Sequence, residues 1–184
     1  GHKHIPTQSV SEDARIRTVA LYAPSKTFNL AGLVGSYRII YNETLRDRVC
    51  AVSNKTHYNE MNVLSMHALI GAYQPQGYEW VDELNQVLAD NIEYFCDYVD
   101  EHFEGVSYSR PQGTYMVFLD CTEWCREHGR DIQWLLDEGA RVGVGYQDGR
   151  PFHGPCHIRV NLALPLSRVR EACDRLDRYV FNAR

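Results

Sequence analysis

Arg17-Thr18-Val19-Ala20-Leu21-Tyr22-Ala23-Pro24-Ser25-Lys26-Thr27-Phe28-Asn29-Leu30-Ala31-Gly32-Leu33 is the stretch that decides the fold. Its first six residues form an apolar, β-branched run that reads as a buried strand. Pro24 has no N–H for a strand ladder and biases its predecessor towards extended geometry, so the strand should stop there. Lys26 is then presented just past a strand end, hemmed in by Ser25, Phe28 and Leu30. A second apolar run, Ser36-Tyr37-Arg38-Ile39-Ile40-Tyr41, follows. A lysine at the mouth of a buried sheet can lose its proton by desolvation and become a nucleophile or a Schiff-base partner. The plain alternative is a loop lysine in a salt bridge, because lysines are mostly exposed. Of the 19 Lys and Arg residues, however, only Lys3, Lys26 and Lys55 are lysines, so this composition does not scatter lysine over its surface.

Outward from this segment, residues 1–16 are polar and irregular, and strands over 17–23 and 36–42 bracket the lysine loop. Helical spacing of Leu45, Val49 and Val52 predicts a helix from Glu43 to about Lys55. A further helix is expected from about Glu60 to Tyr73, with Met61, Leu64, Met66, Leu69 and Ile70 inside. Gln74-Pro75-Gln76-Gly77 reads as a break. The longest periodic stretch runs from Tyr78 to Phe103, where acidic residues between the apolar ones make a solvated face. Two strands then flank Arg110-Pro111-Gln112-Gly113. A helix from Asp131 to Glu138, a strand near Val142, a strand from His157 to Leu162 and a closing helix from Leu166 to Phe181 follow. Gly143-Val144-Gly145 is a lone glycine pair and reads as loop.

A second candidate site lies in Cys156-His157-Ile158-Arg159-Val160-Asn161-Leu162. The alternation puts Ile158, Val160 and Leu162 on one face and His157, Arg159 and Asn161 on the other. An arginine rising from a rigid strand suits a bidentate grip on a planar carboxylate. The ordinary alternative is an exposed arginine paired with a neighbouring acid.

With 184 residues, 44% of them hydrophobic, the chain can bury a core. A net charge of −5 argues against a nucleic-acid or anionic-membrane partner, and no apolar run reaches the length of a membrane span. The six cysteines are expected to be reduced thiols in a cytoplasmic protein, with Cys96 and Cys173 as small core residues. Cys121-x3-Cys125-x2-His128 invites a zinc reading, but the only other candidate ligand pairs are His2/His4 and His153/His157, so no metal is expected. Gly1-His2-Lys3 would chelate copper only through a free amine at Gly1.

The segment Ser25-Lys26-Thr27-Phe28-Asn29-Leu30-Ala31-Gly32-Leu33 resembles the cofactor-lysine segment of fold-type I pyridoxal-phosphate enzymes, within the class I/II aminotransferases and closest to their cystathionine β-lyase-like branch. The whole chain can be laid along the C-terminal half of that family. The resemblance implies an α/β fold, with residues 1–78 the remainder of the large cofactor domain and 79–184 a connecting helix and small α+β domain. It implies pyridoxal 5'-phosphate as cofactor, held by Lys26 as both cofactor-binding and catalytic residue. It also implies an amino-acid substrate whose α-carboxylate is held by Arg159, and a homodimeric assembly. Many aminotransferases have a serine three residues before the lysine and an arginine eight after it, both reaching the cofactor phosphate. Ala23 and Val34 stand there, which favours a C–S lyase yielding pyruvate, ammonia and a thiol over an aminotransferase. The family's chains are about twice as long, so a fragment lacking most of the cofactor site, and inactive alone, is expected. A non-catalytic assembly module is the reading from another class.

Overall fold

The computed structural model describes residues 3–57 and 60–183. The copper-chelating reading of Gly1 and His2 lies outside the described residues. The chain divides into two compact units, one up to Glu83 and one from Leu84 onward.

In the N-terminal unit, helix α1 (Glu12–Arg17) starts at Ser11, whose hydroxyl accepts a 3.0 Å hydrogen bond from the Ala14 N–H. The apolar run therefore turns into strand later than expected, because Arg17 is still helical. Strand β1 (Ala20–Tyr22) pairs antiparallel with β2 (Tyr37–Ile39), Ala20 opposite Ile39 and Tyr22 opposite Tyr37. The buried Gln8 amide stitches this ribbon, donating to Thr18 O at 3.2 Å and to Ile39 O at 3.0 Å. The expected burial of the first strand is corrected: Leu21 is 76% exposed. Two strands alone cannot be covered on both faces, whatever the apolar content of the run.

Helix α2 (Glu43–Thr56) is capped by the Asn42 side chain and ends at His57, whose φ of 56° is left-handed. Helix α3 (Val63–Ala72) is capped in the same way by Asn62, which accepts from Ser65 N at 2.9 Å. The stripe expected to face inward on α3 does not do so, since Leu64, Met66 and Ile70 are exposed. Helix α4 (Pro75–His102) begins at the proline of the anticipated break, since Pro lacks only an N–H that the first turn leaves unbonded anyway. The division between units falls inside this helix, after Glu83. No helix among the described residues is long and apolar enough to cross a membrane.

The C-terminal unit holds a four-stranded antiparallel sheet in the order β3 (Ser107–Tyr108), β4 (Met116–Asp120), β6 (His157–Asn161), β5 (Gln147–Asp148). Helices α5 (Thr122–His128), α6 (Ile132–Arg141) and α7 (Leu166–Leu176) complete it, followed by a wide turn over Asp177–Phe181. Phe95, Leu119, Leu135, Ile158 and Leu176 are among the fully buried core side chains. Cys96 and Cys173 lie in that core as expected. Buried Asn91 of α4 donates to Leu162 O at 2.9 Å and Leu164 O at 2.8 Å, fixing the chain leaving β6.

One local reading is corrected. No strand forms near Val142; this residue closes α6, and Gly143 at φ 77° reverses the chain, with Val144 N bonding Gly139 O at 2.8 Å. The Cys121–His128 stretch is mainly helix α5, where His128 Nδ1 lies 2.9 Å from Trp124 O and its ring stacks on Trp124.

Candidate active site

Lys26 lies in the N-terminal unit and Arg159 in the C-terminal unit; each is set by its own unit's elements. After β1 the chain makes a turn held by the Phe28 N–H donating to Pro24 O at 3.0 Å. Pro24 and Phe28 are both buried and anchor the turn, with the Phe28 ring 5.2 Å from that of Tyr73. Tyr37 extends this aromatic floor, stacking on Tyr22 and donating its hydroxyl to that of Tyr73 at 3.1 Å. Burial pushes the Tyr73 hydroxyl up to about 12, so it stays protonated.

Between the two anchors, Lys26 and Thr27 are turned outward and exposed. The desolvated setting expected for Lys26 is therefore not supplied by the described residues, because the apolar neighbours in its sequence pack beneath the turn. Its amine makes no hydrogen bond or ion pair among the described residues. Beyond the turn, Val34 takes a left-handed φ of 50° and is 86% exposed. That conformation is uncommon for a β-branched residue. Leu33 O just before it accepts from the Ser65 hydroxyl and the Asn62 amide. The next cation along the chain, Arg38, turns its Nη2 to Cys50 Sγ at 4.0 Å.

Arg159 projects from β6, which is hydrogen-bonded on both sides: Phe118 of β4 and Gln147 of β5 both stand opposite it. Ile158, in the next position, is fully buried, so the alternation read from sequence places Arg159 on the face away from the core. Its Nη2 donates to Gln147 Oε1, and its Cζ lies 4.1 Å from the centre of the Phe152 ring. Nε is buried and has no hydrogen-bond partner. No carboxylate lies within ion-pair distance of Arg159 among the described residues, unlike Arg175, which pairs with Glu171. The ordinary alternative of a neutralising acidic neighbour is thus not met among the described residues.

On the same face, His157 Nε2 is 3.7 Å from Asp120 Oδ2. Burial pushes the Asp120 carboxyl up, but hydrogen bonds from the Thr122 hydroxyl and N–H, with the charge of His157, hold it below its ordinary value. Phe152 and Gln147 were not singled out by sequence reasoning. The only signal was the turn-forming set Gly149, Pro151 and Gly154 around Phe152.

Lys26 is thus an exposed amine in the N-terminal unit, and Arg159 a strand-borne guanidinium in the C-terminal unit, neither with an acidic partner among the described residues. The model of the aminotransferase class I and II family matches residues 2–176. The chain belongs to that family. It is 33% identical to protein MalY of Escherichia coli over 171 residues, covering 91% of this chain and 42% of MalY. It is 28% identical to the cystathionine beta-lyase PatB of Bacillus subtilis, covering 96% of this chain and 45% of PatB. Among solved structures, cystalysin from Treponema denticola, which contains a pyridoxal 5'-phosphate cofactor, matches with a TM-score of 0.85 and 27% identity. That match covers 96% of this chain and 44% of cystalysin, so the chain has the corresponding part of the fold type I α/β architecture. The chain spans less than half the length of these relatives.

The residues present fit pyridoxal phosphate in one respect and not in another. Lys26 offers the free primary amine that an aldehyde-bearing cofactor needs. Ala23 and Val34 offer its phosphate no hydroxyl and no charge.

Proposed function

We propose that this chain forms the lysine-bearing part of a pyridoxal-phosphate enzyme that cleaves the C–S bond of an amino acid, in the manner of a cystathionine or cysteine-S-conjugate β-lyase. The carrying observation is the unpaired Lys26 amine, held just past the end of β1 by the buried Pro24 and Phe28. Membership in the class I and II aminotransferase family supports the reading.

Lys26 would hold the cofactor through Nζ. When bound, pyridoxal phosphate supplies an electron sink for negative charge formed at the substrate's α-carbon. The Lys26 amine, when free and neutral, is the general base for the α-proton. Arg159 grips the α-carboxylate through in-plane N–H groups, which its lack of an acidic partner leaves available. Loss of a thiolate from the β-carbon, its protonation to the thiol, and hydrolysis of the remaining three-carbon unit by water, which supplies the keto oxygen, would then give pyruvate, ammonia and a thiol.

The lyase outcome is preferred to transamination because Ala23 and Val34 replace the phosphate-binding pair of many aminotransferases, and because PatB, a cystathionine beta-lyase, is 28% identical. In the whole protein, pyruvate should be released from cystathionine with no keto acid added. An absolute requirement for a keto-acid acceptor would turn the reading to an aminotransferase.

The whole protein is proposed to be a cytoplasmic homodimer with its large domain ending near residue 78 and the connecting helix and small domain beginning near 79. The exposed Leu21, Leu64 and Ile70 are apolar surface available to be covered by further structure, from the same chain or from a partner. With Lys26 in solvent, the 184-residue chain alone is expected to show no turnover.

A further inference from the structure

Arg159 is held by more than its strand. Arg150–Phe152 forms a tight turn inside a hairpin that closes on itself: Gly154 N bonds Gly149 O at 3.1 Å, Gly149 N bonds His157 O at 2.9 Å and His157 N bonds Gly154 O at 3.2 Å. Two glycines make that closure possible. A Cβ on Gly149 would sit 2.4 Å from His157 O, and one on Gly154 would sit 2.5 Å from the Phe118 ring and 2.6 Å from His157. The hairpin is thereby pressed onto the start of β6, and it carries Phe152 back over the guanidinium two residues further along the strand.

An aromatic ring attracts a guanidinium through its face, whereas a carboxylate is bound by the N–H groups in the plane. The two contacts do not compete. Phe152 covers the face at 4.1 Å, Gln147 Oε1 takes one hydrogen of Nη2, and the buried Nε remains without a partner. Phe152 itself is 45% exposed, so burial of the ring does not explain its placement.

We propose that Phe152 is a positioning residue: its ring holds the Arg159 guanidinium so that the in-plane edge is presented to a substrate carboxylate, with Gln147 setting the rotation about that plane. This rests on the carboxylate role given to Arg159 above.

The test uses the ¹⁵N-labelled 184-residue chain, with the Arg159 Nε–Hε signal identified by its loss in Arg159→Lys. In the native chain, sodium propionate should shift that signal saturably. Phe152→Ala should weaken the response roughly three- to tenfold and Phe152→Tyr should restore it. The amide signals of Gly149 and Gly154 report whether the hairpin survives. If Phe152→Ala disturbs them, Phe152→Leu, which keeps the bulk and lacks the π face, should show the same weakening. Equal propionate affinity in the native chain and in a Phe152 variant with an intact hairpin would overturn the positioning role and leave the Arg159 reading standing. No shift of the native signal would overturn both.

Discussion

The two units treat their apolar residues in opposite ways. From Leu84 onward, helices α4 to α7 close over one face of the sheet, and Phe95, Leu119, Leu135 and Ile158 are at most 1% exposed. Up to Glu83, apolar side chains of comparable size stand in solvent, with Leu21 at 76% and Leu64 at 72%. The difference follows from architecture rather than composition. A four-stranded sheet with helices on one face completes a core, whereas a two-stranded ribbon with helices α1 to α3 and the start of α4 leaves faces that only further structure can cover. The candidate residues divide along the same line: Arg159 stands on the self-sufficient sheet, and Lys26 on the part that lacks its own cover.

The sharpest way to break this contrast is to delete equal bulk from each unit. Leu119→Ala, in the closed core, should cost about 2–5 kcal/mol in urea unfolding followed by Trp124 fluorescence. Leu64→Ala should change stability by no more than about 0.5 kcal/mol. Similar losses for the two would mean that the N-terminal unit buries Leu64 in solution and that the contrast fails. A smaller effect is expected at Asn91, which satisfies two carbonyls at the end of β6. Asn91→Ala strips both and should cost about 1–3 kcal/mol, most of it from carbonyls left unbonded. An unchanged midpoint would show that water replaces the amide and that the end of β6 is not sealed.

Much of the Arg159 site was legible in the sequence, and the reason is local. A strict two-residue alternation over His157–Leu162 specifies which face each side chain takes, and β6 obeys it. Helix α4 was equally legible, because an amphipathic period sustained over many residues has few other solutions. The burial of Leu21 or Leu64 was not, since an apolar pattern says which face seeks cover and not whether the cover belongs to the same stretch of chain. Helix α5 was passed over because its seven residues are too few to show a period, and its Cys125 and His128 were weighed only as metal ligands, a reading set aside. The hold of Phe152 on Arg159 depends on a hairpin closure that no periodicity encodes.

The gentlest probe of the contrast is pH. Burial pushes the Cys173 thiol up to about 12; burial, with the hydrogen bond to Cys156, does the same to Cys125. Both belong to the C-terminal unit. The folded pKa lies above the unfolded one, so this contribution is intact below the unfolded thiol value of about 8.5 and is lost as pH rises from there towards 12. The unit's unfolding midpoint should fall between pH 8.5 and 11, and Cys173→Ala should make that limb shallower. An identical alkaline limb in the variant would remove Cys173 from the account.

The central claim is that Lys26, exposed in the chain by itself, is the residue that holds the cofactor once the rest of the protein covers it. Pyridoxal phosphate bound to the whole protein can be fixed by borohydride reduction and located by peptide mapping. The expected result is one adduct, on Lys26, with Lys3 and Lys55 unlabelled. An adduct on another lysine, or labelling spread evenly over Lys3, Lys26 and Lys55, would contradict the assignment.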